Sequence, residues 1–407
     1  MTPTLSRPPS ASPGVGIDVR ARLRQTQPGR AARWLTMGRV GLSMLVHSKP
    51  KLVGTVLGVV IAVVLSVQQL GILFGLLAKN TLLIDNAAAE IWIMPPGTTE
   101  IHGGTLMDES VLMRARGTPG VRRAAPLVLA GASVLRPDGG SEAVTLVGTE
   151  LPAMVGGPWN LVAGEAAALA QPDTVIFEDS QRERLGGVNL GSLRELNGTL
   201  VRAGGFTWGL IPFGPAYAFA EIDLARTLTG VADGQSSFVL VQVAPGADPA
   251  GVAEALRARL PETLVQPSAE LRRSVVYTLL GEQLGLTFGM STLFGLVVGF
   301  VIVALSMFSS VLDNVRELGT LKAIGSTNGD LTRLLVVQSV ALALVGSLVG
   351  LGIATRVAGV IRTAKLIALV PTEVVAAVPA LMLFMCLFAS SLAVWRIRQL
   401  EPGMVFR

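Results

Sequence analysis

Arg316, Glu317 and Lys322 lie close together in NVRELGTLKAIGSTNGDL (314–331), a polar stretch between two runs of almost pure hydrocarbon. Side chains of both signs on one short segment suit a solvated surface helix, which composition alone favours, or docking by charge pairing, rather than covalent chemistry. Reaction chemistry finds little else to work with. The two histidines, His47 and His102, stand in no metal-ligand spacing, and a lone histidine is most often structural or solvated. The one cysteine, Cys386, sits inside an apolar run, which excludes an intrachain disulfide and a thiolate metal cluster. No Gly-x-Ser-x-Gly elbow occurs. GTLKAIGS carries Gly319 and Gly325 but lacks the Gly-Lys-Ser/Thr of a phosphate-binding loop, so ATP cannot be held in that manner. No catalytic residue, metal or cofactor is expected on this chain, and it is not expected to be an enzyme. Any energised work would draw on a partner.

The elements that must position 314–331 are membrane spans. Of 407 residues, 50% are hydrophobic and only 15% charged, against about 25% charged in soluble domains. Four charge-free runs, 52–78, 283–312, 334–355 and 374–395, each exceed the roughly 20 residues that cross a bilayer as a helix. The first is too long and starts too far from the N-terminus for a cleaved signal, and reads as a retained span. Residues 1–51 carry Arg7, Arg20, Arg22, Arg24, Arg30, Arg33, Arg39, Lys49 and Lys51 against Asp18 alone. That excess places the N-terminus in the cytoplasm and speaks for orientation rather than nucleic-acid binding. Alternation then puts 80–282 outside, 313–333 inside, 356–373 outside and the C-terminus inside, in agreement with Arg396, Arg398 and Arg407 but not with Arg356, Arg362 and Lys365. None of the runs contains an Asp, Glu, Lys or Arg, which argues against an ion pathway.

The expected fold is an α-helical membrane protein with four transmembrane helices plus an α+β periplasmic domain between helices 1 and 2. Residues 1–29, rich in Pro, Ser, Arg and Gln, read as a disordered cytoplasmic tail. In 30–51, Trp34, Leu35, Met37, Leu42, Leu45 and Val46 fall mostly on one helical face. That pattern suits an amphipathic helix along the inner membrane surface; the alternative is the start of a tilted span. Helix 1 then covers 52–79, the outer domain 80–267, a stalk with helix 2 268–312, helix 3 332–355 and helix 4 374–395. A short outer loop (356–373) and a cytoplasmic tail (396–407) complete the chain. Within the outer domain, strands are expected at 90–94, 127–135, 142–149, 173–179, 216–222 and 237–243, between Gly, Pro, Asn and Asp clusters. Helices are expected at 108–116 and 249–260, the latter opened by an Asp-Pro pair. From about Ser268 one long helix is expected to continue into span 2.

Gly54/Gly58, Gly71/Gly75, Gly295/Gly299 and Gly346/Gly350 have the Gly-x-x-x-Gly spacing that lets helix backbones approach. Four spans are few to enclose a substrate path, so a homodimer is an attractive arrangement. In 314–331, Val315, Leu318, Leu321 and Ile324, with Ala323, form an apolar stripe while Arg316, Glu317 and Lys322 project elsewhere. Gly325-Ser326-Thr327 offers a C-cap, with the next helix starting near Asn328 or Asp330.

Arg316, Glu317, Leu318, Gly319, Leu321, Lys322, Ala323, Ile324 and Gly325 together resemble the signature that follows the second span in permeases of the MacB–FtsX type. The four-span layout with a large loop after span 1 is similar too. The resemblance implies a bacterial inner-membrane, multi-pass permease subunit whose 314–331 segment docks on a separate ABC ATPase; that partner would carry ATP and Mg. VVLSVQQLGILFGLL, DNAAAEIWIM and the terminal EPGMVFR look like the DevC branch, permeases of glycolipid exporters. That branch implies a periplasmic membrane-fusion adaptor and an amphiphilic substrate such as a lipid or glycolipid. The long Arg-rich tail and EPGMVFR, where the family more often has Asp-Pro-Ala-Glu, depart from the pattern. The other expectation is a non-transporting mechanotransmission subunit that activates a periplasmic cell-wall hydrolase.

Overall fold

The computed structural model describes residues 30–47, 49–98, 101, 105–212, 214–281, 283–361 and 370–398. The expected tail at 1–29, residues 362–369 of the loop at 356–373 and most of the C-terminus lie outside them. Among the described residues four helices are long and apolar enough to cross a membrane, with spans at Lys49–Asn80, Gly285–Asp313, Asn328–Gly359 and Thr372–Leu392. The chain divides into two compact units: Met1–Val59, Phe300–Val345 and Leu383–Arg407 form one, Val60–Gly299 and Gly346–Met382 the other.

The first unit holds α1 (Arg30–His47) and the start of α2 (Lys49–Asn80). It also takes in the end of α8 (Gln283–Asp313), α9 (Val315–Ala323), the first half of α10 (Asn328–Ile361) and the end of α11 (Thr372–Arg398). Lys51 pairs with Asp313, and the Thr55 and Ser306 hydroxyls meet, so the adjoining ends of α2 and α8 are tied by polar contacts. The two helices approach closely at Gly58, where an added Cβ would strike Ile302. α1 packs on α10 through Gly38 and Gly41, and Gln338 Nε2 donates to the Gly41 carbonyl at 2.9 Å. Leu42 and Val46 stay exposed. In 38–47 the buried edge of α1 is therefore Gly38 and Gly41 and not the Leu42/Val46 face, and at Gly41 a Cβ would stand only 3.1 Å from the Leu334 carbonyl oxygen.

In the second unit the chain passes through α3 (Leu82–Asn86) into a ten-stranded mixed sheet. Its strands are β1 (Ile91–Met94), β2 (Val121–Leu135), β3 (Ser141–Thr149), β4 (Leu161–Gly164), β5 (Thr174–Glu178), β6 (Leu193–Leu196), β7 (Thr199–Thr207), β8 (Ala216–Glu221), β9 (Phe238–Val243) and β10 (Leu264–Pro267). They lie in the order β10-β1-β9-β2-β3-β8-β5-β7-β4, with β6 bridging β2 and β7. Parallel pairs occur at β3/β8 and β5/β7. Entry and exit strands are antiparallel neighbours, Ile91 opposite Pro267, so both connections to the membrane helices leave from one end of the sheet.

Why IWIM is apolar throughout follows from the pleat: successive side chains face opposite sides. Trp92 and Met94 enter one core, Ile91 and Ile93 another. The first core includes Leu127, Phe219, Phe238 and Leu240 from the sheet. It takes Leu73 and Leu77 from α2 and Leu271, Val275 and Leu279 from α7 (Ser268–Gly281). The second is covered by α4 (Glu109–Arg116) and α6 (Pro249–Arg259). As the Asp-Pro pair leads one to expect, the Asp248 carboxylate accepts from Ala250 and Gly251 N–H at the start of α6. A further core under β3, β5, β7 and β8 is closed by α5 (Ile222–Thr229).

Some expectations are corrected. Strands β4, β6, β7 and β10 and helix α5 add to the expected set. β2 begins at Val121, six residues before the expected start, through two arginines and Pro126. The third spanning helix runs to Ile361 rather than residue 355. α7 and α8 flank Glu282, which lies outside the described residues, so one continuous helix across it does too.

Among the glycines, Gly299 packs on Ala62, and at Gly350 a Cβ would stand 2.8 Å from Val63. A Cβ at Gly295 would stand in ordinary contact with Leu65 at 3.7 Å, Gly346 is buried, and Gly54 has open space where a Cβ would go. Gly58→Leu is expected to lower stability by roughly 1–3 kcal/mol, the cost of overpacking. Gly54→Leu should stay within about 0.5 kcal/mol of wild type. Thermal unfolding of the full chain in micelles reads both; equal effects would remove the assignment of Gly58 as a close approach.

Candidate functional site

Between α8 and α10 the chain makes a short polar helix bounded by interlocked caps. Asn314 turns the chain, and its carbonyl accepts from Leu318 N–H at 2.9 Å to open α9. At the far end Gly325 adopts φ +108°. Its N–H donates to the Lys322 carbonyl at 3.1 Å, and Ser326 N–H donates to that of Leu321 at 3.0 Å. These two bonds form a Schellman motif, which satisfies the last carbonyls of the helix and reverses the chain; glycine takes the required positive φ without a Cβ clash.

The next helix starts at once. Thr327 Oγ1 accepts from Asp330 N–H at 3.3 Å, while Asp330 Oδ2 accepts from Thr327 N–H at 3.1 Å. This is a reciprocal capping box, with Asp in place of the usual Glu or Gln. Asp330 is buried and paired with Arg333 at 2.8 Å. Glycine and polar residues that look like a loose linker in sequence thus build a fixed corner.

What the corner presents differs from the expected stripe. Leu318 is buried at 3% exposure, Leu321 is intermediate, and Ile324 is 85% exposed. The reason is helical geometry. At about 100° per residue, each step of three falls short of a full turn by about 60°, so a three-residue repeat drifts round the helix. Ile324 is also the C-cap, where the backbone leaves the helix. Lys322 is corrected as well: four residues after Leu318 it shares that face, is half-buried and is not a free charge. Arg316 and Glu317 are exposed, and neither side chain makes a hydrogen bond or ion pair among the described residues. Gly319 is half-buried, and Ala323 and Gly325 are exposed. The side chain of Val315 is outside the description. The structure therefore brings together Arg316, Glu317, Ala323, Ile324 and Gly325 as an open surface, with Leu318 as its root.

The model of the MacB-like periplasmic core domain matches residues 52–259, just over half of the chain. That of the FtsX-like permease C-terminal domain matches 289–402, which takes in the whole corner. The chain belongs to the MacB/FtsX permease family. An uncharacterized ABC transporter permease of Methanocaldococcus jannaschii is 30% identical over 147 residues, and that match spans 35% of this chain and 36% of the relative. The match thus covers about a third of the relative's length.

Among solved structures, the extracellular domain of the noncanonic ABC-type transporter YknZ from Gram-positive bacteria is 18% identical. It covers 44% of this chain and 98% of that one, at TM-score 0.33. The periplasmic region of MacB from Actinobacillus actinomycetemcomitans is 10% identical, covering 47% and 97%, at TM-score 0.36.

This MacB/FtsX permease has a second polar feature that sequence reasoning missed. Glu178, 1% exposed at the end of β5, accepts from Gly209 N–H at 2.7 Å, Leu210 N–H at 3.1 Å and Thr207 Oγ1 at 3.2 Å. Lys79, in the last turn of α2, donates to the Gly209 carbonyl at 2.7 Å and interacts electrostatically with Glu178. Two buried residues of opposite charge thus meet at the Gly209 backbone and join the end of the first spanning helix to the sheet. The signals were a lysine closing a long apolar run and an acid ending a strand that is otherwise apolar or small. His47 is exposed, Cys386 is buried, and His102 lies outside the described residues. Among the described residues no cluster of His, Cys, Asp and Glu could hold a metal ion.

Proposed function

We propose that this permease is the membrane subunit of an ATP-driven exporter that works as a homodimer beside a separate ABC ATPase. The observation that carries the proposal is the rigid corner at 314–330, which offers an exposed isoleucine at the end of a helix that opens with the exposed charges of Arg316 and Glu317. An apolar anchor with a charged rim is the chemistry of a protein interface. Closure of the ATPase would push on α9. α2 and α8, which contribute residues to both units, would carry the displacement to the periplasmic domain as levers. Leu73 and Leu77 of α2 are packed inside the core of that domain, which supports a mechanical linkage.

The substrate in this reading is an amphiphile such as a lipid or glycolipid, delivered with the help of a periplasmic membrane-fusion adaptor. Only 19% of the span-2 window is buried within one chain, against 50% for spans 1 and 3; this uncovered surface is available for a second copy or for lipid. The termini lie in the cytoplasm of a bacterial inner-membrane protein on this reading. The packing of α2 in the domain core equally suits a transducer that moves the domain to activate a cell-wall hydrolase and transports nothing.

The test exchanges the rim charges, Arg316→Glu with Glu317→Arg, and measures co-purification with the ATPase subunit and ATP turnover of the complex. Because rim charges act mainly on encounter and register, affinity should fall by about tenfold, more at low salt than at high. Unchanged affinity and turnover would make the corner an ordinary surface helix and end this assignment of it.

A further inference from the structure

A cleft of about 540 Å³ opens between the last turns of α2 and the stalk helix α7, within the size range of roughly 300–1,000 Å³ typical of small-molecule sites. Its walls are apolar: Phe74 and Leu77 on α2, Val276 and Leu280 on α7. Phe74 and Leu280 are left more than one-third exposed, so among the described residues, Pro371 at the edge included, the walls are not closed. At the rim stand Arg272 and Arg273. Arg272 is engaged by Asp85 at 3.3 Å, and Asp85 is itself held by Thr81 Oγ1 at 2.8 Å. Arg273 is exposed and has no partner among the described residues.

Position decides what such a cleft can take. The charge-free run of α2 ends at Ala78, so the apolar walls sit where the spanning segment gives way to the polar domain. A ligand entering here meets hydrocarbon on one side and guanidinium on the other. Guanidinium binds phosphate oxygens in a two-pronged fashion, and basic pockets beside spanning helices suit lipid head groups. A wholly apolar ligand would make no use of the exposed Arg273 guanidinium at the rim. A soluble anion would leave the walls bare.

We propose that the cleft between α2 and α7 is a binding site for an anionic lipid, with an acyl chain along Phe74, Leu77, Val276 and Leu280 and the phosphate on Arg273. The site deepens the export reading by naming its substrate class. Its test needs no ATPase, so failure here is distinct from failure of the docking corner.

The experiment is native mass spectrometry of the full chain released from micelles containing equal phosphatidylglycerol and phosphatidylcholine, with thermal midpoints recorded for every variant. Wild type should retain phosphatidylglycerol in preference. Arg273→Glu, an exposed position, should weaken that retention by about fivefold, as expected for one surface arginine, and Arg273→Lys should keep most of it. Leu280→Trp, which fills the cleft from an exposed wall, should reduce retention without lowering the midpoint. Equal retention of both lipids by wild type, or indifference to Arg273→Glu, would overturn the proposal and leave an ordinary lipid-facing surface. Complete displacement of the lipid by inorganic phosphate would overturn it too, assigning the arginine to a free anion.

Discussion

Ile324→Asp is expected to abolish co-purification with the ATPase subunit and its effect on ATP turnover, while leaving the thermal midpoint of the isolated permease unchanged. The two halves of that result have separate causes. Ile324 is 85% exposed and caps a helix whose root is Leu318, so its side chain contributes almost nothing to the fold of one chain. In a docked complex, on the proposed reading, it is the anchor. Losing the burial of a large aliphatic side chain costs about 1.5–3 kcal/mol. Placing a carboxylate in the desolvated pocket adds to that, for a total of about 3 kcal/mol or roughly a hundredfold in Kd. The rim charges should matter less than the anchor. Leu318→Asp offers the contrast, because it should lower the midpoint as well as docking. If Ile324→Asp instead assembles normally, the partner reads another surface.

The membrane spans were legible because four apolar runs of sufficient length admit few other readings, and the family signature around Arg316–Gly325 drew attention to the corner. Its C-cap was legible too, since Gly325 carries its own geometry; the Thr327/Asp330 capping box was not, because in the sequence Thr327 reads with the C-cap. Nor was the direction of each side chain. Spacing by threes looks like one face on paper, yet it drifts by about 60° each step. That drift separates buried Leu318 from exposed Ile324 and brings Lys322 to the inner side. In the sheet domain, β1 and β9 stood out as apolar runs because both their faces are buried. By contrast β7, TLVRAGGFT, carries an exposed arginine and paired glycines, and β10, LVQP, is four residues ending in proline. Their pairing with distant strands fixes them, and a local pattern does not contain that information.

Glu178→Ala is expected to cost about 3 kcal/mol or more of stability, since each buried donor that loses its acceptor costs roughly 1–3 kcal/mol, and to loosen the sheet domain at the end of α2. Four groups lose this acceptor at once, Ser180 Oγ at 3.0 Å among them. Gly209 N–H, Leu210 N–H and Thr207 Oγ1 all donate to this carboxylate, and Lys79, 2% exposed, is left without its counter-charge. The Gly209 carbonyl still accepts from Lys79, so that lysine would be held beside a loop that no longer has its anchor. Hydrogen–deuterium exchange should therefore rise at 207–211 and in the last turns of α2 together. Glu178→Gln keeps an acceptor but removes the charge, and should fall between wild type and Glu178→Ala. Combining Glu178→Gln with Lys79→Met should recover part of the loss, since replacing both members of a buried pair is far less costly than removing one. If the double change is instead additive, the two charges are independent. Lys79 would then be a helix-end lysine bonded to a carbonyl, and the mechanical link between α2 and the sheet would rest on Leu73 and Leu77 alone.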